Sequence, residues 1–254
     1  MESAQVLDRR LLDRRPAATA SDDVQVRRLL ARYGHLDGAD LLRPMIETEF
    51  PGRIALASSF GIEAGAMLAL VAEVDPSTPV VFLDTGHLFP ETLAYRDTLR
   101  DRLGLTDVRS IGPEDAGLDV AKPGHAVWNT DACCHLRKVI PMDRALEGFD
   151  AWITGRKRFH GAGRIELPAI EWEAGQIKIN PLATWSQERI DALYTERNLP
   201  RHPLEAEGYT SVGCAPCTRK PQPGEGLRAG RWADSDKTEC GIHKAKWFRA
   251  GENI

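Results

Sequence analysis

The chain has 254 residues, the upper end of what one hydrophobic core serves, which predicts one α/β domain with appendages or at most two domains. Apolar residues make up 42% and charged residues 28%, and 33 Lys and Arg against 37 Asp and Glu leave a net charge of −4. This balance excludes a general nucleic-acid binder, which needs a basic field to meet phosphate, so any anionic ligand must be held by a local cluster of Arg and Lys.

Residues 1–22 read as a mobile polar tail. Arg9, Arg10, Arg14 and Arg15 there are interrupted by Asp8, Asp13, Asp22 and Asp23, with no hydrophobic segment behind them, which argues against a targeting address and for the cytoplasm. No apolar run approaches the roughly 18 to 20 residues needed to span a bilayer, so no membrane partner is expected. Between 23 and 50, Val26, Leu29, Leu30, Tyr33 and then Leu41, Leu42, Met45 and Ile46 recur at helical spacing, predicting two helices broken over 34–38. A buried strand is predicted over 53–58, a helix over 62–73, a strand over 79–84, a helix over 91–103 and a strand over 106–110. This alternation predicts a parallel sheet with right-handed crossovers and ligands at the carboxyl ends of its strands. Further on come a helix over 134–146, a strand over 151–155, a hairpin of 165–170 with 176–179, and a helix over 186–197 capped by Ser186. From 208 onward Pro216, Pro221, Pro223 and Gly213, Gly224, Gly226 and Gly230 preclude long elements. The division expected is therefore a tail over 1–22, an α/β nucleotide-binding domain over 23–207, and an irregular, mobile C-terminal segment over 208–254.

Several residue groups along this frame can carry chemistry. Ser58-Ser59-Phe60-Gly61 places hydroxyls and backbone N–H groups at a helix start, a cradle for an anion or merely a helix cap. Asp84-Thr85-Gly86-His87 ends the next strand at the same sheet edge, and two polar strand ends side by side suggest a nucleotide crevice. The five cysteines form a Cys133-Cys134 pair, a Cys214/Cys217 pair with ligand spacing, and a lone Cys240. Four thiolates can close a zinc site or hold four corners of an iron–sulfur cluster, unless the first pair are simply small buried hydrophobes. Adjacent cysteines point about 100° apart on a helix, awkward for one small ion and easier for a cubane.

Lys138 follows Cys134 by four residues, on one helix face, with Arg137 beside it; the alternative is a solvated basic face. Arg228 and Arg231 can complete a cationic pocket or lie on the surface. In Glu239-Cys240-Gly241-Ile242-His243, a glycine-flanked thiol near arginines and a histidine suits a nucleophile, or is an ordinary exposed cysteine.

Taken in order, Ser58 to Gly61, the stretch Leu83-Asp84-Thr85-Gly86-His87-Leu88-Phe89-Pro90-Glu91-Thr92, Cys133-Cys134 with Arg137-Lys138, the Cys214/Cys217 pair, the 226–232 stretch and Glu239 to His243 resemble the assimilatory adenylyl-sulfate and phosphoadenylyl-sulfate reductases. The likeness runs from about residue 50 to residue 243. It implies an adenine-nucleotide α-hydrolase-like (PP-loop, Rossmann-like) fold. It also implies reduction of adenosine 5′-phosphosulfate to sulfite and AMP, with thioredoxin or a glutaredoxin-like protein as donor and a homo-oligomer left open. Cys240 is then the nucleophile, passing through an S-sulfocysteine, with Lys138 and His243 as further catalytic candidates. Ser58, Ser59, Phe60, Gly61, Asp84, Thr85, Gly86, Arg228 and Arg231 are implied for substrate. Cys133, Cys134, Cys214 and Cys217 look like the ligands of a [4Fe–4S] cluster, whose bearers generally prefer the substrate lacking a 3′-phosphate. Residues 155–164 depart from the family, lacking its Gln and following Ser-Pro, and Arg164 is our choice there for a phosphosulfate contact. A phosphoadenylyl-sulfate reductase or dual-specificity enzyme is the nearest rival. A related ATP pyrophosphatase that thiolates tRNA would show two glycines in an SGGxDS loop, where this chain has Phe60 and one glycine. A zinc-stapled nucleotide-binding module would leave Cys240 idle.

Overall fold

The computed structural model describes residues 20–115, 117, 130–161, 164–173, 175–233 and 235–243. Six short strands form its centre: β1 Ile54–Ser58, β2 Val80–Leu83, β3 Val108–Ile111, β4 Ala151–Thr154, β5 Ile170–Glu173 and β6 Gln176–Ile179. They lie in the order β3-β2-β1-β4-β6-β5, and every neighbouring pair is parallel except β5 with β6. The near-continuous apolar runs of β1, β2 and β4 follow from this placement, because a central parallel strand is covered on both faces.

The helices are α1 Ala20–Tyr33, α2 Gly38–Pro44, α3 Ala64–Val74, α4 Pro90–Leu103, α5 Thr130–Cys134, α6 Ile140–Ala145, α7 Gln187–Glu196 and α8 Pro203–Ala206. On one sheet face Leu56, Val80, Phe82 and Ile153 pack with α1, α2, α3, α4 and α7 in the main core. On the other face Ala55, Val81 and Trp152 meet Met142 and Leu146. α3 is apolar almost all round, because it is buried from Gly65 to Val71. Its start is held by the Tyr194 phenol, which accepts from Gly65 N at 2.9 Å and donates to the Ile62 carbonyl at 3.1 Å. A Cβ on Gly65 would stand 2.8 Å from that oxygen, so the position requires glycine. Ser186 caps α7 as its sequence position predicts, accepting from Arg189 N at 3.3 Å.

Three expectations are corrected. The hairpin's first strand is β5, Ile170–Glu173, and not 165–170, because Pro168 cannot donate to a ladder and Leu167 N turns back to the Arg164 carbonyl. The helix predicted over 134–146 starts at Thr130 and widens into a π-turn over His135–Val139, where Pro141 supplies no N–H to a regular ladder. The first helix starts at Ala20, inside the segment read as tail; the rest of that tail, 1–19, lies outside the described residues, as does 244–254. Among the described residues no helix is long and apolar enough to cross a membrane.

Candidate active site

After β1 the chain fills one side of it with β2 and β3, then returns to its other side with β4, so the crevice of this sheet opens between the carboxyl ends of β1 and β4. A cavity of about 220 Å³ lies there, walled by Ser58, Ser59 and Gly61 after β1, by Thr154 to Lys157 after β4, and by parts of 210–243. The crevice expected at the ends of β1 and β2 is thus extended to β4, since Val81, Leu83, Leu88 and Thr92 from β2 and the stretch after it line the same cavity. Asp84, Thr85 and Gly86 do not line the cavity. Asp84 Oδ1 accepts from Gly86 N at 3.0 Å, and Thr85 Oγ1 lies 3.2 Å from Cys214 Sγ. Phe60 also leaves the group: its backbone turns through a φ of 46° and its ring drops into the core, edge-on to Phe82 at 5.4 Å. Burial of the aromatic ring offsets the left-handed backbone, which a phenylalanine rarely adopts.

Six cations and two carboxylates line the cavity of a chain whose net charge is −4. Lys138 is half-buried; desolvation pulls its ammonium down, and the neighbouring Cys240 and Cys214 outweigh that and leave it raised. Arg231 donates to the Val212 carbonyl at 2.6 Å and lies over the Trp232 ring at 4.6 Å. A Cβ on Gly213 would strike its guanidinium, so a glycine there is what admits the arginine. Burial, then the adjacent Arg164 and Arg231, push Arg228 down to about 10. Across the cavity Lys157 and His160 both contact Glu63, the latter at 3.2 Å. Burial would raise the Glu63 carboxyl, but the His160 hydrogen bond and the Lys157 charge hold it down at about 2. Arg156 pairs with Glu171.

The Cys240 segment is seated in this cavity. Arg164 holds Glu239 with two bonds, at 2.6 and 2.8 Å, and Cys240 N donates to the same carboxylate at 2.9 Å. Against the pull of burial, Arg164 keeps Glu239 ionised with a pKa of about 2. His243 stacks on Trp152 with ring centroids 5.8 Å apart and planes 3° from parallel. Lys178 lies over the Trp152 ring at 4.5 Å. Burial first, then Lys178 and Arg156, holds His243 well below its ordinary value, so the ring is neutral. The structure thus brings Ser58, Ser59, Gly61, Lys138, Arg164, Arg228, Arg231, Cys240 and His243 to one cavity.

Cys133 and Cys134 end α5, and Cys214 to Cys217 faces them, pinned by the Leu88–Cys214 bridge and by Ala215 N on the His87 carbonyl at 2.7 Å. All five thiols are unpaired. Burial raises Cys133 and Cys217, and raises Cys134 to about 11. Among the described residues no three metal-binding side chains close on a single ion. The donor set is nevertheless four thiols, Cys134 and Cys214 buried and Cys133 and Cys217 half-buried, drawn from the end of α5 and from the 214–217 turn, with Lys138 and Arg137 at hand to offset thiolate charge. That set fits a four-iron cluster, whose corners are spread, better than one zinc.

Glu63, Arg156, Lys157, His160 and the pairing of Glu239 carry no local sequence signal that marks them for this cavity. No spacing reveals that carboxylates fifteen or more positions away pair with Arg156, Lys157 and Arg164.

Residues 53–220 match the family model of the phosphoadenosine phosphosulfate reductase domain. Adenosine 5′-phosphosulfate reductase from Mesorhizobium japonicum is 46% identical over 215 residues, 84% of this chain and 85% of that protein. Phosphoadenosine 5′-phosphosulfate reductase from Gloeobacter violaceus is 38% identical over 205 residues, 76% of this chain and 83% of the relative. A phosphoadenylyl-sulfate reductase crystal structure from Candida auris superposes with a TM-score of 0.65 at 27% identity, covering 80% of this chain and 99% of the other. The α/β nucleotide-binding fold expected from the sequence is the one observed.

Proposed function

The chain belongs to the phosphoadenosine phosphosulfate reductase family, and from that premise we propose that it reduces adenosine 5′-phosphosulfate to sulfite and AMP in sulfate assimilation. One observation carries the assignment: a lone thiol, Cys240, faces a crevice at the sheet's carboxyl edge together with Lys138, Arg164, Arg228 and Arg231. The Cys240 thiolate attacks the sulfur of the phosphosulfate; an S–S bond forms, the S–O bond to phosphate breaks, and AMP leaves with the electron pair. The surrounding cations take up the charge that moves onto the departing phosphate, so they act on the transition state as well as on binding. A dithiol donor, thioredoxin or a glutaredoxin-like protein, then attacks Cys240 Sγ and expels sulfite. Its second thiol resolves the mixed disulfide, so the donor is oxidised by two electrons and the Cys240 thiolate is restored.

The choice of the substrate without a 3′-phosphate is supported by Glu63, which engages Lys157 and His160 and so leaves neither free to take a second phosphate in that part of the cavity. Cys133, Cys134, Cys214 and Cys217 would hold a [4Fe–4S] cluster; it would tie α5 to the C-terminal segment and add its field beside Lys138 without carrying the electrons, which arrive through thiols. Five unpaired cysteines support a cytoplasmic setting. Single-turnover incubation with adenosine 5′-phosphosulfate, followed by peptide mass measurement, should find a sulfonate adduct on Cys240 that Cys240→Ser lacks. An unmodified Cys240 refutes the proposal.

A further inference from the structure

Glu239 puts a carboxylate where the cavity offers its arginines to an anion. Arg164 grips it through Nε at 2.6 Å and Nη2 at 2.8 Å, the two-pronged geometry by which guanidinium also takes phosphate and sulfate oxygens. Arg228 Nη2 stands 4.0 Å from the same Oε1. That oxygen also accepts from the Cys240 N–H at 2.9 Å, so the carboxylate and the backbone of the thiol-bearing residue are one mechanical unit. A guanidinium edge that already holds a carboxylate has no second pair of donors on that edge for an incoming oxyanion.

We propose that Glu239 is a positioning residue that mimics the substrate's anionic group: it seats the Cys240 segment by occupying Arg164 and Arg228, and an arriving sulfonate or phosphate displaces it and frees the thiol to turn toward the bound sulfur. The inference rests on the reading that these arginines face the phosphosulfate, and its test needs no turnover, so the two can fail separately.

The test uses the purified full chain, inorganic sulfate as probe, iodoacetamide labelling of Cys240 followed by peptide mass, and calorimetric sulfate affinity. In the wild type, sulfate accelerates labelling. Glu239→Gln labels about tenfold faster without sulfate, is insensitive to added sulfate, and binds sulfate about tenfold more tightly, as expected when a competing charge-assisted bond is removed. Arg164→Ala frees the thiol equally but binds sulfate more weakly. A merely structural role would weaken sulfate binding in both variants alike. Unchanged Cys240 labelling in Glu239→Gln, or sulfate affinity no better than wild type, overturns the inference.

Discussion

Replacing Glu63 by Gln tests whether the cavity wall opposite Cys240 is held by charge. The carboxylate has a side chain 12% exposed and contacts both Lys157 and His160. Burial works against its ionisation; the two partners reverse this and bring it from 4.5 to about 2. At 1.36 kcal/mol per pH unit, that difference corresponds to about 3 kcal/mol of preference for the charged native form. The native pKa is depressed, so this contribution is complete above the unfolded value of 4.5 and fades as pH falls through about 2. Glu63→Gln leaves the Lys157 ammonium buried without its counter-charge, for which the loss is again about 3 kcal/mol at the low end of the range for broken buried pairs. Urea unfolding of both proteins at pH 7 and pH 3 checks this: a gap of about 3 kcal/mol at pH 7 should shrink to about half at pH 3. The same variant releases Lys157 and His160 toward ligand, so its preference in kcat/KM for adenosine 5′-phosphosulfate over the 3′-phosphorylated nucleotide should fall. Equal stability at pH 7, or a gap that holds constant into acid, refutes the electrostatic account of this wall.

Two further predictions concern the thiol side of the cavity. Lys138→Ala should lower kcat by about a hundredfold or more, while its urea midpoint moves far less, because a cation beside transferring charge acts chiefly in the transition state; steady-state kinetics with a near-normal kcat would contradict this. Wild-type protein should carry about four irons and matching acid-labile sulfide per chain, and Cys217→Ser should lose both, whereas one zinc per chain in metal analysis would replace the cluster by a single-ion staple.

The elements that the sequence makes legible are those whose apolar runs face a single solution. β1, β2 and β4 are short, apolar and bounded by turn residues, and α3 can only be a covered helix. Strand order is different in kind. Nothing local in Ala151–Thr154 states that this strand pairs with β1 on the side away from β2, yet that pairing decides which loops share the crevice. Phe60 departs from expectation for a related reason. A loop residue beside two serines reads as part of their cradle, and only the position of Phe82 shows that its ring completes the core. Four apolar residues, Ile165, Leu167, Ala169 and Ile170, favour a strand over 165–170, but the one donor missing at Pro168 is enough to bar a strand there.

The charge of the cavity could be expected in amount but not in arrangement. A chain of net charge −4 cannot draw an anion by its overall field, so binding must come from cations already oriented and partly stripped of water. Four of the six are fixed by a protein group: Arg231 by the Val212 carbonyl, Arg164 by Glu239, Lys157 by Glu63 and Arg156 by Glu171. Fixing costs little reorganisation when charge moves, since the donors point inward before any ligand arrives. It also leaves a division of labour. Arg156 and Lys157 are tied to carboxylates on the folded sheet and its neighbouring helix start, and so serve as permanent walls, whereas the anchor of Arg164 lies on the segment that carries Cys240. The one carboxylate that can leave together with the thiol is the one placed against Arg164. On the proposed reading of this cavity, that makes the C-terminal segment part of the binding equilibrium as well as the carrier of the nucleophile.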